Sequence, residues 1–182
     1  EFTFAENGHQ LWLHRRKATA VKVISDKKSA VLTLAQNELK NNWQGKPNAT
    51  ISFIIKNDAS LKADGFIINN NSIQANNEAG ILYGVYELLR RQQTNQPTQN
   101  IISNPSYQLR ILNHWDNLDG TVERGYAGNS IFWRKENSLI ITDADKKLWN
   151  EYARANASIG INGSVINNVN ASPLILSKEY LN

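Results

Sequence analysis

The chain has 182 residues, enough for one domain or for one domain and part of another. It is 41% hydrophobic and 20% charged, an ordinary globular composition, and it has no cysteine, which excludes disulfides, thiolate nucleophiles and cysteine-ligated zinc. Its net charge of +4 is spread over scattered lysines and arginines with no basic stripe or reading motif, which argues against nucleic-acid binding, and no apolar run has the length of a membrane span.

The chain opens with a predicted strand, helix and strand. The β-branched stretch Ala20–Asp26 predicts the first strand. Apolar residues then recur at helical spacing through residues 27–43, and Ser25 or Asp26 is the expected N-cap. The stretch Ala49–Asn57 predicts a second strand.

A hairpin and a second helix complete the first predicted unit. The stretch Gly65–Asn77 predicts a hairpin that turns on asparagines, which tolerate positive φ. An apolar stripe predicts a helix over Glu78–Gln93, with two arginines in its last turn, and a polar linker follows. These elements favour an α/β domain over residues 1–104, with a mixed sheet covered by two helices.

The pattern changes after this domain to strand, helix, strand. The strands are predicted at Tyr107–Trp115 and Ile161–Asn167, and the helix at Asp143–Ser158, where Thr142 and Asp145 fit a capping box. A crossover of helical length implies that the two strands are parallel. Such a unit is the opening of a larger parallel-sheet fold, either a (β/α)8 barrel or a doubly wound sheet.

The loop that follows the first of these strands is rich in polar and aromatic side chains. In a parallel barrel the active site collects on loops of this kind. Trp115 is placed to form a platform for a sugar ring, or else to fill the barrel rim. His114 is a candidate acid, base or ligand, although a histidine beside a tryptophan is more often a hydrogen-bonded structural group.

Three carboxylates follow closely in the same loop: Asp116, Asp119 and Glu123. A metal site and a general acid–base pair are both open interpretations. The favoured interpretation is that they pair with nearby arginines and hold the loop in shape. These arginines are Arg110, Arg124 and Arg134. The glycines of the loop lack the spacing of a phosphate-binding motif.

Residues Arg110–Trp133, RILNHWDNLDGTVERGYAGNSIFW, are followed by a helix and by GINGSVINNVNA, and together they resemble the α-glucuronidases of glycoside hydrolase family 67. The upstream segment LYGVYELLRRQQ is similar to the last helix of that family's N-terminal domain. The resemblance implies an accessory domain similar to that of bacterial β-hexosaminidases over residues 1–104. It also implies that residues 105–182 begin a (β/α)8 catalytic barrel.

The same resemblance implies an activity. Family members hydrolyse the α-1,2 link between glucuronic acid, or its 4-O-methyl ether, and xylo-oligosaccharides from glucuronoxylan, with inversion. Inverting enzymes use two carboxyl groups about 6.5–9.5 Å apart. The family's catalytic carboxylates belong to later barrel strands, so no catalytic residue is assigned here, and this chain alone is expected to be inactive. No metal, cofactor, nucleic acid or membrane is implied, and the full-length protein is expected to form a homodimer if it follows other members.

Six residues receive roles through the resemblance. Trp115 would pack on the sugar, Val169 would contact the 4-O-methyl group, and Asn168 would make a polar contact. Support of the loop is assigned to three residues: His114, Asp116 and Arg124.

Two other functions stay open at this point. One is a non-catalytic carbohydrate-binding or interaction module with a barrel remnant. The other is a different uronic-acid or hexosamine-linked hydrolase that shares the accessory domain. The start at Glu1 without a methionine suggests a removed export signal, and therefore a periplasmic or extracellular location, with a cytoplasmic one left open.

Overall fold

The structure, a computed structural model, describes residues 8–9, 11–14, 17–134, 140–166 and 173–178. The chain divides into two compact units, which are described separately. The first comprises residues 1–108 together with 157–160, and the second comprises residues 109–156 and 161–182. Among the residues that the structure describes, no helix combines the length and the apolar character needed to cross a membrane.

A five-stranded mixed sheet forms the first unit. Its strands are β1 (Val21–Ser25), β2 (Ala49–Ile55), β3 (Phe66–Asn69), β4 (Ser72–Ala75) and β5 (Ile101–Ser103). Their order is β1-β2-β4-β3-β5, in which β2 is parallel to β1 and β4 while β3 is antiparallel to β4 and β5. The predicted mixed sheet is therefore confirmed, and β5 is an additional edge strand that the sequence pattern did not indicate.

Two helices pack on this sheet: α1 (Ala30–Asn42) and α2 (Glu78–Gln93). The predicted bounds of α2 are confirmed, but the predicted start of α1 is wrong. Ser29 is its N-cap, and its hydroxyl oxygen accepts a hydrogen bond from the backbone N–H of Leu32 at 3.1 Å. Ser25 is still part of β1, four residues before this cap, and its hydroxyl donates to the carbonyl oxygen of Lys27 at 2.9 Å. The helix therefore begins three residues later than the apolar spacing suggests.

The core of the first unit lies between the sheet and the two helices. Alternate strand residues face the helices and are buried, among them Ile51, Phe53, Ile68 and Ile73. The helix α2 comes close to the sheet at Gly84, where an added Cβ would lie 2.5 Å from the Cγ2 atom of Ile73. A glycine in the middle of a helix is unfavourable by about 1 kcal/mol, and this close approach is the reason for it here.

A carboxylate in the loop after β2, that of Asp58, has a lowered pKa. The Oδ1 atom of Asp58 accepts hydrogen bonds from the backbone N–H and the hydroxyl of Ser60, at 2.9 and 2.6 Å, and Oδ2 accepts one from Gln74 at 3.0 Å. The hydrogen bonds from Ser60 are the main cause of the lowered pKa of Asp58. A depressed pKa adds stability above the unfolded value of about 4, and this stability is lost as the pH falls through the folded value.

We expect the Asp58→Asn variant to lose less stability on acidification than the parent protein. The amide cannot titrate, so the melting temperature of the variant should be lower than that of the parent near neutral pH, and the two should approach each other as the pH falls through the folded pKa of Asp58. Thermal unfolding of the two proteins followed by circular dichroism across this range measures the difference. Melting curves that stay equally far apart at every pH would contradict the assignment.

A two-stranded parallel sheet and a helix form the second unit. Its elements are β6 (Ile111–Asn113), α3 (Asp143–Ser158) and β7 (Gly163–Val165), followed by a 3-10 turn at Pro173–Leu176. The strands β6 and β7 pair in parallel, with Ile111 opposite Gly163 and Asn113 opposite Val165, which confirms the predicted direction. Both strands are shorter than predicted, because backbone pairing is limited to three residues on each strand.

The helix α3 has the predicted bounds and the predicted cap. The backbone N–H of Thr142 donates to the carboxylate of Asp145 at 2.8 Å, and the N–H of Asp145 donates to the Thr142 hydroxyl at 3.3 Å. These two hydrogen bonds form a reciprocal capping box, which satisfies two donors that the first turn of the helix leaves open.

Candidate functional site

The loop after β6, residues 114–133, is fastened at both ends to the carboxyl edge of the parallel pair. At its start the backbone N–H of His114 donates to the carbonyl oxygen of Val165 at 2.8 Å. At its end the indole N–H of Trp133 donates to the carbonyl oxygen of Ile166 at 3.0 Å. We call this segment the β6 loop. Its twenty residues are therefore held over the strand ends, where parallel α/β folds place their ligands.

An aromatic cluster packs beneath the first residue of the β6 loop. The Nε2 atom of His114 is hydrogen-bonded to the hydroxyl of Tyr152, which in turn lies 3.0 Å from the hydroxyl of Ser164. The imidazole ring also meets the ring of Phe132 edge to face at 5.0 Å. His114 is thus engaged by side chains from α3 and from the far end of its own loop, and by the backbone of β7.

Asp116 joins the beginning of the β6 loop to its end. Its side chain is almost fully buried, and the carboxylate accepts a hydrogen bond from the hydroxyl of Ser130. The Ser130 oxygen itself accepts from the backbone N–H groups of Phe132 and Trp133, both at 3.0 Å. The other oxygen of Asp116 lies 3.8 Å from Nδ1 of His114. One buried carboxylate therefore organises both ends of the loop.

We expect the Asp116→Ala variant to destabilise the β6 loop by about 1–3 kcal/mol, because the Ser130 hydroxyl would lose its buried acceptor. Hydrogen exchange of peptides within residues 114–133 measures this change. Asp116→Asn keeps an acceptor and should have a smaller effect. Asp119→Ala is the control, since this exposed carboxylate accepts hydrogen bonds from Thr121, only two residues away, and about 0.5 kcal/mol or less is expected there. Equal effects for Asp116→Ala and Asp119→Ala would refute the bracing role.

Trp115 presents its indole to the outside of the loop. The side chains on either side of it, His114 and Asp116, both turn inwards. Because successive side chains of an extended chain point to opposite sides, the indole faces away from them, and it is 43% exposed. The carbonyl oxygen of Trp115 accepts a hydrogen bond from the backbone N–H of Glu123 at 2.7 Å. The result is a large apolar ring on a fixed backbone, a suitable platform for the apolar face of a sugar.

The three carboxylates of the β6 loop do not converge. Asp116 bonds to Ser130 inside the loop, whereas Asp119 accepts from the backbone N–H and the hydroxyl of Thr121 at 2.9 and 2.6 Å. In the part of the chain that the structure describes, no group of three potential ligands could hold a metal ion. Arg134, one of the arginines expected to pair with them, forms an ion pair with Asp145 at the start of α3.

The remaining predicted site residues have different outcomes. The side chain of Arg124 is exposed, and it makes no hydrogen bond or ion pair to any residue within the described ranges, so its role in holding the loop stays a prediction. Asn168 and Val169 lie outside the described residues, and their predicted contacts with the sugar also stay predictions.

The structure adds two residues to the site that the sequence analysis did not single out. Ser130 links Asp116 to the backbone at the end of the loop, and nothing in its sequence context distinguishes it from other loop serines. Tyr152 is the second, and it lies on the face of α3 that also carries Leu148 and Ala155. A tyrosine on that face carries a hydroxyl that needs a partner when the ring is packed, and here His114 and Ser164 provide one.

Comparison with known proteins places this segment in a family. The Glycosyl hydrolase family 67 middle domain matches residues 89–182, which include the β6 loop, α3 and β7. The probable alpha-glucuronidase A of Aspergillus terreus is 29% identical over 98% of this chain and 26% of its own length. The alpha-glucuronidase A of Aspergillus tubingensis is 32% identical over 97% of this chain and 25% of its own.

A third relative, the alpha-glucuronidase A of Emericella nidulans, is 42% identical over 60% of the chain and 13% of its own length. The chain spans about a quarter of the length of the first two relatives. Because the family match covers more than half of the residues and agrees with the predicted resemblance, the chain belongs to glycosyl hydrolase family 67.

Proposed function

We propose that the full-length protein is an α-glucuronidase that hydrolyses the α-1,2 link between glucuronic acid, or its 4-O-methyl ether, and xylo-oligosaccharides from glucuronoxylan. The observation that carries this proposal is the β6 loop, which lies at the carboxyl edge of a parallel strand pair with Trp115 exposed, inside the segment that matches the family. In the proposed fold, β6, α3 and β7 open a (β/α)8 barrel, whose active site forms at this edge.

In this proposal the chain supplies one wall of the binding pocket and not the reacting carboxylates. Asp116 is buried and bonded to Ser130, so it cannot reach a sugar. Inversion needs one acid to protonate the leaving oxygen and one base to activate water, about 6.5–9.5 Å apart. Trp115 would pack on the uronic acid, with Val169 at the methyl ether and Asn168 at a polar group.

The decisive experiment uses the full-length protein and 4-O-methylglucuronosyl xylotriose. We expect release of the uronic acid, and nuclear magnetic resonance at early times should show the β-anomer first, because inversion changes the α configuration. The 182-residue chain assayed alone should release none. Release of the α-anomer first would overturn inversion. Activity on aryl hexosaminides without any on aldouronic acids would replace the proposed substrate.

We extend the proposal to the location and the oligomeric state of the enzyme. Glucuronoxylan is a polymer outside the cell, so we place the protein in the periplasm or extracellular space, acting on oligosaccharides released from xylan. We also propose that the full-length protein is a homodimer. Cell fractionation tests the location and light scattering on the purified full-length protein tests the dimer. A cytoplasmic monomer would contradict both points without affecting the activity.

A further inference from the structure

The tip of the β6 loop, residues 122–128, is a tight turn that projects from the loop. Its backbone adopts positive φ at Glu123, Gly125 and Gly128, with values of 59°, 90° and 96°. The turn is closed by hydrogen bonds from the N–H of Gly125 to the oxygen of Val122 at 3.0 Å and from the N–H of Val122 to the oxygen of Gly128 at 3.2 Å. A Cβ added at either glycine would meet no atom within 4 Å, so the turn has open space around it.

Tyr126 lies at this tip and is 75% exposed. Its phenol lies beside the carboxylate of Glu123. Partial desolvation is the main cause of the raised pKa of the phenol, and the neighbouring carboxylate adds to it. The ring therefore has a carboxylate near its hydroxyl while most of its surface stays open to solvent.

Glu123 connects this tyrosine to the tryptophan of the same loop. Its backbone N–H donates to the carbonyl oxygen of Trp115 at 2.7 Å, and its carbonyl oxygen accepts from the side-chain amide of Asn117 at 2.8 Å. Its carboxylate lies beside the phenol of Tyr126. Glu123 therefore lies between the two exposed aromatic residues, with Trp115 two residues beyond the end of β6 and Tyr126 at the tip of the loop.

We propose that Tyr126 forms a second sugar-binding surface that contacts the xylose units beyond the one that carries the uronic acid. This inference rests on the proposed function. A xylose ring carries no hydroxymethyl group, so both of its faces can lie flat on an aromatic ring. Trp115 is less exposed than Tyr126 and lies nearer to the strand end, so it contacts the terminal uronic acid. The oligosaccharide then leaves past the tip of the loop, where the open faces of the Tyr126 ring meet it.

The test compares substrates of two lengths in the full-length enzyme. The short one is 4-O-methylglucuronosyl xylose and the long one carries the same uronic acid on xylotetraose. We expect Tyr126→Ala to raise KM for the long substrate roughly five- to thirtyfold, a typical loss for one aromatic contact. KM for the short substrate and kcat for both should change less than about twofold. Tyr126→Phe keeps the ring and should retain most of the affinity.

Two results would overturn the inference. One is an equal loss on both substrates, which would make Tyr126 a support of the loop. The other is an unchanged KM for the long substrate. Calorimetric titration with plain xylotetraose separates this inference from the proposed function. If the parent protein binds xylotetraose and Tyr126→Ala binds it more weakly, the xylose surface is upheld even if no aldouronic acid is hydrolysed. If the two proteins bind it equally, the surface is rejected.

Discussion

We expect Trp115→Ala in the full-length protein to reduce kcat/KM on 4-O-methylglucuronosyl xylotriose by roughly 30- to 150-fold. This corresponds to about 2–3 kcal/mol, the cost of truncating a central aromatic contact at a binding surface. The side chain is 43% exposed between two inward-pointing neighbours, so its removal takes away the apolar platform and leaves the braces of the β6 loop in place.

Two control variants separate loss of the platform from loss of folding. Trp115→Phe retains part of the aromatic surface and should fall between the parent protein and the alanine variant. Tyr107→Ala removes an exposed aromatic ring before the start of β6, at the end of the strand opposite to Trp115, and should leave kcat/KM within about twofold. Steady-state kinetics on the three variants, with hydrogen exchange of residues 114–133, measures both effects.

Two results would refute the role of Trp115 as a platform. One is a Trp115→Ala enzyme with the kcat/KM of the parent protein, and the other is an equal loss of kcat/KM in Trp115→Ala and Tyr107→Ala. A lower kcat/KM accompanied by faster exchange throughout the β6 loop would instead show that the indole supports the fold. The prediction depends on the proposed activity of the full-length protein, and parental turnover is measured first for this reason.

The sequence predicted those elements whose signals are local. The apolar spacing and capping box of α3 gave its bounds, because each lies within a few residues of the helix itself. The parallel pairing of β6 and β7 followed from the length of the crossover between them. By contrast, β5 is a three-residue strand whose extended state depends on pairing with β3, a partner more than thirty positions away along the chain, and short runs of this kind carry little pattern of their own.

The candidate site was predicted less fully. The sequence left open whether Trp115 is exposed as a platform or packed at the barrel rim, and the side chain is 43% exposed. The partners of its neighbours did not follow from the sequence, since Asp116 bonds to Ser130 fourteen positions later and His114 to Tyr152 thirty-eight positions later. Hydrogen bonds between distant residues depend on how the loop closes over the strand ends, which no spacing in the sequence encodes. Arg134, one of the three arginines expected to hold the loop, pairs with Asp145, a partner on α3 that the spacing within the loop does not indicate.

The largest effect on stability is expected in the first unit, at the contact between α2 and β4. Ile73 is fully buried there, and Ile73→Ala should cost about 2–5 kcal/mol through lost burial and a residual cavity. Gly84→Ala would place a Cβ 2.5 Å from Cγ2 of Ile73. The overpacking should cost about 1–3 kcal/mol, which exceeds or cancels the gain of about 1 kcal/mol in helix propensity.

The two changes should couple strongly when they are combined. Ile73→Ala removes Cγ2, so in that background Gly84→Ala meets only the ring of Phe66, at 3.3 Å or more, and should be neutral or stabilising by up to about 1 kcal/mol. Gly80→Ala is the matched control. Its Cβ would meet the Gly65 carbonyl oxygen at 2.7 Å, which Ile73→Ala does not relieve, so those two changes should add. Hydrogen exchange of peptides within residues 66–93 gives the opening free energies, and additivity of Ile73→Ala with Gly84→Ala would show that this glycine is not required by the helix–sheet contact.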